Sequence, residues 1–290
     1  MNSRESGSGT GPVADPGDGP LLLVLADSLS FHGPERAEPA NDPRLWPNLA
    51  AAALGGRAEL AAGFGWTARH AWHALTHDPR LWAVMPYVDA LVLGVGGMDT
   101  LPSPVPTAVR ELIPLLPPGW LRRAVRAGYR SSLPRVARAF ERLLPHGGPV
   151  SLPPKLSVHY LESCRRAVLA IRPDIPVVLL LPGAHSAPAY GRVDIGREPA
   201  DTAYRKWAGS VGVAALEVRP LVIDHILGGQ GNPDGMHYGW VAHEAIGKAL
   251  SSTLSSALSS TLTLSSTSWP RPSGARSAPQ SSVCTVEEPA

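Results

Sequence analysis

The feature that most constrains this chain is the run Leu21-Leu22-Leu23-Val24-Leu25-Ala26, which stops at Asp27-Ser28. An alternating pattern would mark a strand with one wet face, whereas six consecutive apolar residues closed by polar ones mark a strand covered on both faces. Ala90 to Val95, ended by Gly96-Gly97, and Val177 to Leu181, ended by Pro182-Gly183, repeat the signal. Ala58 to Ala61 and Val213 to Val218 are weaker strand candidates. Helical spacing fills the intervals over Leu45 to Leu54, Thr67 to Leu75, Leu121 to Leu144, Leu156 to Ile171, Ala200 to Val211 and Trp240 to Leu250. Parallel strands need crossovers, and helical crossovers cover both faces of the sheet. The expected fold is therefore a three-layer α/β/α sandwich with a central parallel sheet. In such a fold ligands sit beyond the carboxyl ends of the strands, so the loops starting at Asp27, Gly96 and Pro182 are site candidates.

The ends differ from the middle. Residues 1–19 are rich in Gly, Ser, Pro and Asp, too polar to offset chain entropy by burial, and are expected to be a disordered leader. Residues 20–250 form the expected folded domain. The Ser/Thr/Leu tract and Pro/Ser/Arg stretch of 251–290 could begin by continuing the last helix, but Ser and Thr disfavour a long one, so this segment is read as a mostly disordered tail.

Charge excludes some partners. With 26 basic against 24 acidic residues, net +2, there is no broad basic field for nucleic acid, and Arg122, Arg123 and Arg126 fit a solvated helix face. No apolar stretch approaches the roughly 18 residues of a membrane span, no secretory leader is visible, and the two cysteines, Cys164 and Cys284, suggest no disulfide framework. The expectation is a cytoplasmic protein with no membrane span; the oligomeric state is not legible.

Ser28, at the mouth of the first strand, could expose its hydroxyl on the ligand side of the sheet, although Asp-Ser is also a common helix cap. Late in the chain, Asn232-Pro233-Asp234-Gly235-Met236-His237 places a carboxylate and an imidazole three residues apart around a glycine that permits a tight turn. Such an Asp would fix the imidazole tautomer and leave the other ring nitrogen to deprotonate a serine. A turn with a helix cap, or a metal pair, are the alternatives, but a metal would need further ligands and none stands at a convincing spacing.

Ser28 with Asp234-x-x-His237 resembles the first and last sequence blocks of the SGNH (GDSL-like) hydrolases, whose sheet is flavodoxin-like. The resemblance implies that Ser28, Asp234 and His237 are catalytic and that the Ser28 and Gly65 backbone N–H groups form the oxyanion hole. It sets Gly96-Gly97-Met98-Asp99 at the third block, Gly-x-Asn-Asp. Two positions depart: Ala26 stands for the glycine of Gly-Asp-Ser, and Met98 for an asparagine that would donate to the oxyanion, which methionine cannot do. Longer strings, LLVLADSLSFHGP, RLWPNLAAAL, GWTARHAWHALTHDPRLW, LVLGVGGMDTLPSPVP and NPDGMHYGWVAH, resemble the diglucosylglycerate octanoyltransferases. That implies transfer of an octanoyl group through an acyl-enzyme to diglucosylglycerate, a small glycoside acceptor, with acyl-CoA as co-substrate and no cofactor or metal. A plain SGNH carbohydrate or lipid esterase, and a non-catalytic glycan- or lipid-binding member, are the alternatives.

Asp27, Trp66, Arg69, Gly97, Met98 and Asp99 are the candidate substrate-binding residues. Arg69 suits a glycerate carboxylate because its guanidinium is planar and bidentate, although a surface ion pair would serve it as well. Trp46, Trp66, Trp72 and Trp82 could stack on sugars, yet large aromatics are more often core. His73 and His77 at i and i+4 could bind zinc, but with His70 they fit a solvated or aromatic-packed helix face. His32-Gly33-Pro34 and His185 are loop candidates near the strand ends.

Overall fold

The computed structural model describes residues 19–105, 112–144 and 148–264, with side chains to 258. Five strands, β1 (Leu21–Asp27), β2 (Arg57–Gly63), β3 (Ala90–Gly94), β4 (Val177–Leu180) and β5 (Ala214–Leu216), form one sheet in the order β2-β1-β3-β4-β5. Every pairing is parallel, with Leu22 opposite Ala58 on one side and Ala90 on the other. This is the flavodoxin-like order, in which the crevice between the first and third strands is the natural ligand position.

The apolar runs divide by residue parity. Leu21, Leu23, Leu25, Leu91, Leu93 and Leu179 enter one core, and Leu22, Val24, Ala26, Val92, Val178 and Leu180 enter the other. Successive side chains of a strand point to opposite faces, so a continuous run feeds two cores where an alternating one feeds a single core. Helices α2 (Ala68–His77), α5 (Pro154–Leu169) and α6 (Arg197–Val211) cover the first face, and α1 (Trp46–Ala53), α7 (Arg219–Leu227) and α8 (Trp240–Leu264) the second. The buried positions keep helical spacing, as in Leu161, Cys164 and Val168 of α5 or Ala200, Tyr204, Trp207 and Ala208 of α6. Two further helices are α3 (Pro79–Val84) and α4 (Gly119–Leu143); Ala137 of α4 packs with Val193 and Ile195 in a small separate cluster.

Three elements differ from the expectations. Helices α3 and α7 stand where no helix was read, because each is short and opens on proline. Proline at the first helical turn costs nothing, its missing N–H being one that the helix would leave unpaired. The last helix does not stop near Leu250 but continues to Leu264, so the folded chain extends past residue 250. Leu250 and Leu254 are fully buried and follow Ala242 and Ile246 at four-residue intervals, and that packing outweighs the poor helix propensity of Ser and Thr. Residues 265–290, and all but the last residue of the 1–19 leader, lie outside the described residues.

Candidate active site

The site is assembled at the carboxyl ends of β1, β2 and β3, where the sheet order reverses. Asp27 ends β1 and caps the following 3-10 turn, its Oδ1 accepting the Leu29 N–H at 3.0 Å. This places Ser28 at the head of the turn, and the Trp46 indole N–H donates to the Leu29 carbonyl at 3.0 Å to hold it there. Opposite, Asn232 to His237 form a turn in which the Asn232 carboxamide oxygen accepts the Asp234 N–H at 2.9 Å. Gly235 sits at φ +71°, and a Cβ there would lie 2.8 Å from the Ser186 carbonyl, so both backbone conformation and space require glycine.

That turn aligns three side chains. Ser28 Oγ lies 2.9 Å from His237 Nε2, and His237 Nδ1 lies 2.6 Å from Asp234 Oδ2. The other Asp234 oxygen accepts the backbone N–H groups of Met236 at 2.8 Å and His237 at 3.1 Å. Burial raises the Asp234 carboxyl, but these N–H groups and the imidazole outweigh it and hold the group below its ordinary range. The carboxylate therefore fixes the proton on Nδ1 and leaves the Nε2 lone pair facing the serine. Burial holds the His237 imidazole below its ordinary value, opposed by Asp234 and assisted by His32.

His32 and Phe64 are the neighbours that sequence reasoning weighed too lightly or missed. The His32 ring stacks on His237 with centroids 3.9 Å apart, and Phe64, 60% exposed, stands edge-on to His32, His237 and Phe31. His32 is itself anchored from behind. His243, fully buried, donates from Nε2 to the His32 carbonyl at 3.1 Å and accepts the Trp46 N–H on Nδ1 at 3.1 Å. Burial pushes this imidazole down to about 4, so it stays neutral and keeps one tautomer. The signal for Phe64 was its place directly before Gly65; what makes it unusual is exposure, which only the fold reveals.

The remaining candidates separate into groups. Gly65 has φ +66°, and a Cβ on it would lie 3.8 Å from the Met98 methyl, so Met98 stands against the position where an oxyanion glycine is expected. Gly97 lies next to Asp27, a Cβ on it falling 3.8 Å from Oδ2. Asp99 is buried beneath the site, accepting the Ala68 N–H at the start of α2 at 3.1 Å and 3.3 Å. Asp27 and Asp99 are both pushed up to about 7, chiefly by burial. Asp99 therefore joins the loop after β3 to α2 and does not line the opening. Trp66 folds back onto Gly63, where an added Cβ would meet its indole nitrogen. Arg69 is half-buried on the first turn of α2 and already has an interaction partner in the protein.

Several side chains serve the fold elsewhere. His70 accepts the Thr67 N–H at 3.0 Å in the capping box of α2. The His73 and His77 rings stack parallel, 4.0 Å apart, and His77 Nδ1 is bonded to the His73 carbonyl. Trp46 is core, Trp72 packs against the core, and Trp82 is 44% exposed on α3. Cys164 is buried, its thiol pushed up to about 12. Among the described residues no group of three potential ligands could hold a metal ion, and no helix is long and apolar enough to cross a membrane.

Beside Leu29, the residue after Ser28, a small pocket partly open to solvent is lined by Leu29, Met98, Leu101, Pro182, Ala184 and Met236, with His185 and Asp194 also on its wall.

Comparison with known proteins gives this geometry its context. The chain is 46% identical over 234 residues to the diglucosylglycerate octanoyltransferase of Mycolicibacterium hassiacum, covering 80% of this chain and 93% of that one. It is 43% identical, over the same length, to the diglucosylglycerate octanoyltransferase of Mycobacterium tuberculosis, of which 90% is covered. The chain belongs to the diglucosylglycerate octanoyltransferase family. Membership makes it an enzyme of the acyltransferase type. No protein-family model matches. Among solved structures, a lipase/acylhydrolase from Enterococcus faecalis superposes over 82% of this chain and 96% of its own with a TM-score of 0.53. At 12% identity that likeness concerns the fold alone, an α/β/α sandwich on a parallel sheet.

Proposed function

We propose that this member of the octanoyltransferase family moves an octanoyl group from acyl-CoA to diglucosylglycerate through an acyl-enzyme on Ser28. The observation that carries the reading is the hydrogen-bonded line Ser28–His237–Asp234 at the mouth of the sheet. His237 Nε2 takes the Ser28 proton as Oγ attacks the thioester carbonyl. The tetrahedral oxyanion is assigned to the backbone N–H groups of Ser28 and Gly65. Its collapse breaks the C–S bond and expels the coenzyme A thiolate, which receives the proton from His237. A sugar hydroxyl then gives its proton to the same nitrogen and attacks the acyl carbonyl, and collapse of this second intermediate breaks the acyl–Oγ bond as His237 returns the proton to Ser28 Oγ.

Met98 shapes this cycle. In an asparagine's place it offers no third donor, and loss of one such donor costs about 100 to 1000-fold in rate in other hydrolases. Water, unpositioned, meets that barrier unaided, whereas a bound sugar hydroxyl gains from its high effective concentration. The exposed Phe64 face beside His32 supplies an apolar platform for a glucosyl ring. Arg69 is assigned to the glycerate carboxylate.

The test is mass spectrometry of the protein with octanoyl-CoA, with and without diglucosylglycerate. The expected result is a Ser28-linked octanoyl adduct, little free octanoate without acceptor, and octanoylated sugar with it. Free octanoate at the same rate in both arms would make the enzyme an esterase, and a Ser28 inert to octanoyl-CoA and to fluorophosphonate would make it a binding protein.

A further inference from the structure

The pocket next to Leu29 has a polar wall. Leu29, Met98, Leu101, Pro182, Ala184 and Met236 give it an apolar lining, and among the described residues its ionisable ones besides Tyr238 are His185 and Asp194. The same two residues line a second, larger cavity, also partly open to solvent, whose wall includes Arg192, Arg197, Glu198 and Arg219. They are therefore the partition between an apolar pocket next to the nucleophile and a charged cavity beyond it.

The partition is held in place. Asp194 Oδ2 lies 3.1 Å from Arg197 Nε and 4.0 Å from Arg219 Nη1. His185 Nδ1 accepts the Ala187 N–H at 3.3 Å, which leaves the ring proton on Nε2. His185 Nε2 and Asp194 Oδ1 are buried without a hydrogen-bond partner in the protein. A chain longer than the pocket must push into this wall, where Asp194 is tied to Arg197, and forcing extra methylenes against a held side chain is disfavoured.

We propose that this pocket receives the acyl chain and that His185, backed by Asp194, sets the longest chain it accepts. A sugar is the wrong occupant, because its hydroxyls would be stripped of water against Leu29, Leu101 and Met236 without replacement. The inference rests on the acyl-enzyme reading above and adds what determines acyl specificity.

The experiment follows the rate of Ser28 acylation, by intact mass, with hexanoyl-, octanoyl- and dodecanoyl-CoA. The unaltered enzyme should prefer octanoyl to dodecanoyl by about tenfold or more, the scale of overpacking extra methylenes against a fixed wall. His185→Ala joins the pocket to the larger cavity and should bring that ratio close to unity. The variant removes an unpaired atom but also frees the Ala187 N–H, so thermal unfolding is the control for its folding. Ala184→Leu fills the pocket ahead of the partition and should move the preference towards hexanoyl. A folded His185→Ala enzyme with an unchanged octanoyl-to-dodecanoyl ratio overturns the proposal. If His185→Ala does not fold, an unchanged preference in Ala184→Leu overturns it equally. Absence of Ser28 acylation by every donor in the unaltered enzyme would instead overturn the acyl-enzyme reading itself, a distinct result.

Discussion

Replacing Asp234 by asparagine changes one heavy atom, and the structure dictates which way the new side chain must face. Asp234 Oδ1 accepts two backbone N–H groups, from Met236 at 2.8 Å and His237 at 3.1 Å. In the variant that position must remain an oxygen, so the amide nitrogen occupies the place of Oδ2, 2.6 Å from His237 Nδ1. A donor there forces Nδ1 to accept, moving the ring proton to Nε2, the nitrogen 2.9 Å from Ser28 Oγ. The imidazole then presents an N–H to the nucleophile and has no lone pair for its proton. In the serine-protease template this tautomer error lowers turnover by about 10⁴, equivalent to about 5.5 kcal/mol of transition-state stabilisation. Stability should change little, because every backbone bond of the turn is retained. The assay is single-turnover acylation of Ser28 from octanoyl-CoA, with thermal unfolding as the control. Acylation within about tenfold of the unaltered rate in Asp234→Asn would refute the assignment of the carboxylate as the group that orders His237.

The pH dependence of acylation should show an acid limb below 6.5, because burial holds the His237 imidazole below that ordinary value and only its neutral form accepts a proton; a limb centred above 6.5 in pre-steady-state rates would contradict this. Asp99, pushed up to about 7 from 3.8, binds a proton in the folded state that the unfolded chain releases, so its contribution is fully present below about pH 4 and is lost as pH rises through 7. Asp99→Asn should flatten that slope, on the order of 4 kcal/mol at most, and denaturant titrations of both proteins at pH 5 and pH 8 measure it; His243 contributes the opposite slope in both, while Asp27, raised in part by the Asp99 charge, loses some of its own slope in the variant. Leu254→Ala should destabilise by about 2 to 5 kcal/mol, the range for emptying a buried leucine site, and urea unfolding of the variant checks that α8 packs beyond residue 250. Phe64→Ala should raise the acceptor KM by roughly tenfold, a contact worth about 1.4 kcal/mol, while leaving Ser28 acylation by octanoyl-CoA unchanged.

The parallel sheet was legible because its strands are apolar on both faces. Leu21 to Ala26 could not be mistaken for a half-wet strand, and the alternation with helical segments left one architecture. β2 was weaker because Arg57 and Glu59 interrupt it, and it lies at the sheet edge, where half its groups face outward. Helix α8 was cut short because local propensity was set against Ser and Thr, while burial of Leu254 is decided by a face of the sheet far away in sequence. The pairing of Ser28 with His237 across 209 residues was suggested by motif alone and acquires its distance only from the fold.

What the sequence determined by itself is the set of reacting groups and the layering that carries them: a serine after the first buried strand, an Asp-x-x-His around a glycine turn, and strands that demand cover on both sides. These are local properties of residue type and spacing. The tertiary structure alone decided which polar residues face the opening and which lie beneath it. It buried Asp99 under α2, left Phe64 exposed, stacked His32 on His237, and set His185 and Asp194 between two cavities. Each of those outcomes depends on contacts between segments distant in the chain, where burial and partner geometry, not local pattern, fix what a side chain does.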